Sequence, residues 1–189
     1  GRYASKLNDL EQYFSEFALI KNRVLVEINW LIFMSRTKSL SFIPALSKNK
    51  ENSLLKVIDN FSIKDAEQIK KIEAKTNHDV KAVEIFIGKK LESLNLNKYK
   101  EFVHLFCTSE DINNLSYSLM LKGYLDNEFK EINSMLLKDL KSKSKKWAKL
   151  AMLSFTHGQT ASPTTLGKEI ANFHERIKFH LNILKSLNP

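Results

Sequence analysis

"TSEDINNLSYSLMLKGYLDNEFKEINSMLLKDL", residues 108–140, runs without a proline. It sets Ile112, Leu115 and Leu119, then Phe129, Ile132, Leu136 and Leu140, near helical spacing. Steps of three, four and seven put apolar side chains on one helix face. The opening Thr108-Ser109-Glu110-Asp111 has the hydroxyl-x-x-acid form of a capping box, in which both side chains satisfy free amides at a helix start. The stretch therefore predicts one very long helix. Downstream, Leu166, Ile170, Phe173, Ile177 and Leu184 form a second seam, suited to a coiled-coil-like bundle. Ser162 and Pro163 are expected to open that helix as N-cap and first residue. The polar stretch 154–165, "SFTHGQTASPTT", then reads as the loop between two helices.

Upstream, residues 6–35 read as a long amphipathic helix or a broken pair, interrupted from Ser39 to Pro44. Helices are expected from Lys50 to Phe61, from Ser62 as a cap, and from about Asp79 to Leu91, with Val80, Val83, Phe86, Ile87 and Leu91 on one side. Asn95 and Asn97 mark a turn, and a short apolar segment ends at Phe106. No alternating β pattern competes, so the predicted class is all-α. Residues 1–107 form a compact helical domain, and 108–189 carry long helices that need bundle partners. Two long helices cannot enclose a core, so the chain is expected to oligomerise or to belong to something longer.

Composition narrows the function classes. Of 189 residues, 43% are hydrophobic and 27% charged, as in ordinary globular proteins. Only 5 glycines and 3 prolines occur, which favours long helices. The richest apolar run, Trp30 to Met34, is far too short to span a bilayer, and no basic–apolar–small leader pattern opens the sequence. Cys107 is the single cysteine; a reducing, cytoplasmic setting is expected. Thirty basic against 21 acidic residues leave +9, which suits nucleic acid, an anionic membrane or a small polyanionic substrate. The dense run Lys141–Lys146 reads as a solvated helix face, and no RNA-binding or helix-turn-helix signature accompanies it.

Three stretches break the helical pattern with unusual chemistry: Thr76-Asn77-His78-Asp79-Val80, Cys107-Thr108-Ser109-Glu110-Asp111 and Thr156-His157-Gly158-Gln159. Each lies just before or close to a predicted helix start, where free N–H groups and the helix dipole hold carboxylates and phosphates. Each also has an ordinary structural reading. Thr76, Asn77 and Ser109 can cap helices, and His157 can be a loop histidine bonded to backbone. Together, His78, His157 and the clustered hydroxyls and amides suggest acid–base work on an anionic substrate. Gly158 lets the backbone turn without a Cβ and leaves the neighbouring imidazole free.

The combination "TNHDVKAVE", "CTSEDINNLS" and "THGQTASPTTLGKE", with the opening "GRYASKL", resembles the adenylosuccinate lyase branch of the fumarase/aspartase superfamily, and "TNHDVKAVE" its bacterial subgroup in particular. The resemblance runs from Gly1 to about residue 180. It implies a β-elimination that splits fumarate from adenylosuccinate, giving AMP, and from the succinylated aminoimidazole carboxamide ribonucleotide of purine synthesis. It implies His157 as general acid to the departing nitrogen, Arg2 and Tyr3 as a phosphate clamp, and Asn77, His78 and Asp79 as a substrate-contacting loop. Thr108 and Ser109 would hold a substrate carboxylate, with Thr156 and Gln159 flanking the same substrate. No cofactor and no metal are implied, nor nucleic acid or membrane as partners. The assembly would be a homotetramer with active sites shared between subunits.

The family's catalytic base is a serine on a mobile loop with an "SS-x-M-P-x-K-x-N" pattern, which is absent here. The chain is accordingly expected to be an N-terminal portion, with 108–189 as the start of the central bundle, and inactive by itself. The competing readings are a sister lyase (argininosuccinate lyase, fumarase or aspartase) and a basic helical module that binds nucleic acid or a partner helix.

Overall fold

A computed structural model describes residues 2–187; Gly1, at the head of the "GRYASKL" motif, lies outside them. Packing divides the chain into two units, one ending at Gly123 and one beginning at Tyr124. The first unit holds a 3-10 turn (Ala4–Lys6), α1 (Asn8–Phe14), α2 (Glu16–Arg36), α3 (Lys48–Asp59), α4 (Ile63–Thr76), α5 (Asp79–Ser93), a second 3-10 turn (Asn97–Phe102) and α6 (Ser109–Tyr124).

The 6–35 segment is the broken pair. Ser15 is extended, and its hydroxyl accepts the Ala18 N–H at 3.1 Å, so α2 starts afresh there. From α2, Val24, Ile28, Leu31 and Met34 are fully buried, with Leu54 of α3, Ile69 of α4 and Val83, Phe86 and Leu91 of α5 in the same core. Each such side chain contributes about 1.5–3 kcal/mol relative to exposure. Tyr99 is also buried, and its hydroxyl donates to the Ala45 carbonyl at 3.0 Å. Two helix starts carry the capping signal that the sequence shows. The Ser62 amide reaches Asp65 Oδ2 at 3.0 Å, and the Thr108 amide reaches Asp111 Oδ2 at 2.7 Å.

Although the sequence changes character at Thr108, α6 packs with the first unit because Ile112, Ser116 and Met120 are buried in it. The second unit holds a π-helical turn (Leu125–Phe129), α7 (Lys130–Lys146), strands β1 (Ala151–Thr156) and β2 (Gln159–Thr165), and α8 (Leu166–Ser186). Where the sequence predicts one very long helix, a π-helical turn at 125–129 joins α6 and α7, and Asp126 and Asn127, weak helix formers, fall in it. No residue of α7 is buried, and of α8 only Gly167. Ile132, Met135, Phe173, Phe179 and Ile183 stay exposed. Two helices cannot bury both their seams in each other, and apolar faces of this kind mark association surfaces.

Residues 154–165 correct the sequence reading. They are not a plain loop: β1 and β2 pair antiparallel, Thr156 opposite Gln159 and Ala151 opposite Thr165. The two turn residues, His157 (φ 51°) and Gly158 (φ 76°), are both left-handed, the backbone of a type I′ hairpin turn. Pro163 does not open a helix. It lies in β2 where the register shifts between Met152 and Ser154, and a bulge tolerates a residue with no N–H. The helix starts at Leu166 instead, with Thr165 as cap accepting the Lys168 N–H at 3.3 Å. No helix among the described residues is long and apolar enough to cross a membrane.

Candidate active site

The first two of the unusual stretches lie together in the first unit. Asn77 ends α4 in a left-handed conformation, φ 52°, with its N–H on the Glu73 carbonyl at 2.8 Å. His78 then caps α5: its Nδ1 accepts the Lys81 N–H at 3.1 Å, which leaves Nε2 as the free ring nitrogen on a half-exposed side chain. Asp79 accepts the Val80 N–H at 2.8 Å and pairs at 2.5 Å with Arg23 of α2. Arg23 also donates through Nε to Asn113 Oδ1 of α6 at 2.9 Å. One guanidinium, its side chain 7% exposed, therefore ties the start of α5 to the first turns of α6. Beneath it Val26, Val80 and Ile112 form a small apolar cluster, with Cys107 packed against it. Burial acts to raise the Asp79 carboxyl, but the Val80 amide and the Arg23 charge outweigh it and hold it below the usual range.

At the start of α6 both donors of Thr108, amide and hydroxyl, converge on Asp111 Oδ2, at 2.7 and 3.0 Å. Those bonds hold the Asp111 carboxyl below its usual range. Ser109 is half-buried beside them, in the first turn of α6. Cys107 precedes them as a thiol pushed up to about 11, first by burial and then by Glu27 and Asp111; it is no thiolate at neutral pH.

The third stretch belongs to the second unit, and it is not at a helix start. His157 occupies the first turn position of the hairpin, exposed, with Thr156 and Gln159 paired behind it. What presents the imidazole is turn geometry rather than a helix dipole. A non-glycine residue at positive φ is uncommon, with histidine among the enriched types, and the following glycine completes the turn at no steric cost. Arg2 and Tyr3 are exposed at the other end of the chain, the guanidinium 5.4 Å from the Tyr3 ring centroid.

Sequence reasoning missed Arg23, Asn113, Glu27 and His104. The His104 Nδ1 lies 2.6 Å from Oε1 of Glu27, a side chain with no exposure. The available signal was Arg23 and Glu27, one helical turn apart inside the apolar run of α2; charges in such a run need partners. Among the described residues no group of three or more His, Cys, Asp or Glu is arranged to hold a metal ion.

Residues 1–189 match the lyase family, and the chain belongs to it. Among individual relatives, the adenylosuccinate lyase of Legionella pneumophila (strain Corby) is 43% identical over 94% of this chain and 39% of its own. That of Escherichia coli (strain K12) is 41% identical over the same shares. The adenylosuccinate lyase of Buchnera aphidicola subsp. Schizaphis graminum is 40% identical over 99% of this chain and 41% of its own. The chain thus spans about two fifths of the length of these relatives. In fold it is similar to a fumarate lyase from Mesorhizobium sp. BNC1, with a TM-score of 0.73 at 17% identity over 95% of this chain and 39% of that one. It is likewise similar to β-carboxy-cis,cis-muconate cycloisomerase from Acinetobacter calcoaceticus sp. ADP1, with a TM-score of 0.72 at 18% identity over 99% and 42%.

Proposed function

We propose that these residues serve an adenylosuccinate lyase: a β-elimination releasing fumarate from adenylosuccinate, and from the succinylated aminoimidazole carboxamide ribonucleotide, in purine nucleotide synthesis. The observation that carries this reading is 43% identity to a named adenylosuccinate lyase across 94% of the chain. The geometry supports it. An exposed imidazole on a two-residue hairpin turn can protonate a departing amine, a role that imidazole chemistry suits. Helix starts carrying Asn77–Asp79 and Thr108–Ser109, cross-linked by Arg23, offer the Asn77 side-chain amide and the Ser109 hydroxyl to carboxylate and phosphate groups, while the Thr108 donors are held by Asp111. In this reading His157 is the general acid. Asn77, His78, Asp79, Thr108, Ser109, Thr156 and Gln159 bind substrate, and Arg2 and Tyr3 meet its phosphate.

The catalytic serine loop of the family has no counterpart in residues 1–189, so the base must come from elsewhere in the assembly. The exposed apolar faces of α7 and α8 support association into a homotetramer with shared active sites. The domain reading of 1–107 as a helical domain and 108–189 as the start of a central bundle goes with it. The test is direct: an enzyme of the relatives' full length carrying residues 1–189 is supplied with adenylosuccinate, and fumarate is measured. Release of fumarate is the expected result; turnover of another succinylated amine in its place would move the reading to a sister lyase.

A further inference from the structure

The one buried side-chain atom left without a hydrogen-bond partner among the described residues is Oε2 of Glu27. An unpaired carboxylate oxygen in a protein interior costs free energy, and removing one partner of a buried pair costs more than replacing the whole pair by apolar side chains. Its other oxygen meets His104 Nδ1 at 2.6 Å, shorter than the usual nitrogen–carboxylate hydrogen bond. Across the ring, Glu84 Oε1 of α5 stands 4.0 Å from His104 Nε2, while the other oxygen of Glu84 is taken by Lys81 at 2.7 Å.

His104 is not on a helix. It has φ 63°, and Phe106 two residues later has φ 67°. Side chains at left-handed positions persist only where surrounding contacts over-determine them. Two contacts from α2 supply that here: Glu27 on the His104 ring, and Trp30 Nε1 donating to the Leu105 carbonyl at 2.8 Å. The segment they pin runs directly into Cys107 and the Thr108–Asp111 capping bonds.

We propose that Glu27 is a positioning residue, which through His104 fixes the left-handed 104–106 segment and so sets the Thr108–Ser109 turn for an anionic carboxylate ligand. The ligand half of this proposal rests on the lyase reading above; the clamp half does not. Burial holds the Glu27 carboxyl above its usual range, with the His104 bond and charge opposing and Glu84 adding to the rise. Cys107 and Asp111 are the other titratable groups that face this cluster. A proton shared between Oε1 and Nδ1 keeps the bond in either arrangement.

The test uses an enzyme of the relatives' full length carrying residues 1–189, as parent, Glu27→Met and Glu27→Gln. Methionine keeps the volume without the bond, which limits cavity effects. A glutamine amide can donate or accept and so can serve either proton arrangement. Hydrogen exchange read by mass spectrometry follows residues 103–111, with α4 (Ile63–Thr76) as internal control. Steady-state kinetics give KM and kcat for adenylosuccinate. Glu27→Met is expected to speed exchange in 103–111 by about tenfold, leave α4 unchanged, and raise KM about tenfold with a smaller change in kcat, a loss of about 1.4 kcal/mol in binding. Glu27→Gln stays within about threefold of the parent on both, about 0.6 kcal/mol. The proposal is overturned if exchange in 103–111 is unchanged in Glu27→Met, if α4 accelerates equally, if KM does not move in an active enzyme, or if Gln behaves as Met. A parent that releases no fumarate contradicts the functional reading and not the clamp, which the exchange comparison alone then supports or overturns.

Discussion

Arg23 of α2 lies 2.5 Å from Asp79 at the first turn of α5, although 56 positions separate them in the chain. The same guanidinium reaches Asn113, 90 positions away, at 2.9 Å. Arg23→Met removes both bonds and leaves Asp79 without its cation. Hydrogen bonds to charged groups contribute about 1.5–3 kcal/mol, and the lower end applies because Asp79 is 43% exposed. Urea unfolding at neutral pH should register that loss; a change under about 0.5 kcal/mol would mean the bridge does not hold the two helix starts together.

Acid should erase the benefit of the Asp79 carboxylate. Its folded-state pKa lies below the usual range: burial opposes this, but the Val80 amide and Arg23 prevail. A depressed carboxylate stabilises the fold above the unfolded value, about 3.9, and the benefit disappears as pH falls through the folded value. Asp79→Asn should therefore lower Tm at pH 7 and differ progressively less from the parent below about pH 4. A gap that is constant between pH 7 and pH 3 would contradict the assignment.

Two glycines of the second unit should fail for different reasons. A Cβ on Gly167 would stand 2.3 Å from the Ser144 carbonyl oxygen and 2.6 Å from Ala148 backbone. Neither can yield without moving α7, and the Gly167 N–H to the Trp147 carbonyl, 3.0 Å, would be lost with them. Gly167→Ala should cost about 1–3 kcal/mol. Gly158 has open space around it and only its φ of 76° to protect, so Gly158→Ala should cost about 1–2 kcal/mol through backbone strain alone. Thermal unfolding of both variants separates the cases; a neutral Gly167→Ala would rule out the close α7–α8 approach.

Much of the helical architecture was legible because its signals are local. Ser62 with Asp65 and Thr108 with Asp111 announce helix starts within four residues, and the apolar stripe of α5 is regular. The hairpin was misread because Ser162-Pro163 imitates a helix start, while the competing β signal is short and interrupted by a bulge. Thr156, Thr160, Thr164 and Phe155 around a His-Gly pair were nonetheless β-formers flanking a two-residue turn. The ties of Arg23, Glu27 and His104 had no local signature, since they join positions 56, 77 and 90 apart. Only the two charges inside the apolar run of α2 hinted that partners existed.

Residues 1–189 contain an acid candidate in His157 and no counterpart of the family's serine base. Incubated alone with adenylosuccinate, they should release no fumarate above the uncatalysed background. Clear turnover would place the base within these residues.

The most direct test concerns His157 itself. Asparagine is favoured at the first position of a type I′ turn before glycine, so His157→Asn removes the imidazole while preserving the hairpin. In an enzyme of the relatives' full length carrying these residues, kcat for adenylosuccinate should fall by roughly 10²–10⁴-fold, the scale of general acid–base catalysis, with KM little changed. A His157→Asn enzyme that folds normally and keeps the parent's kcat would contradict the account.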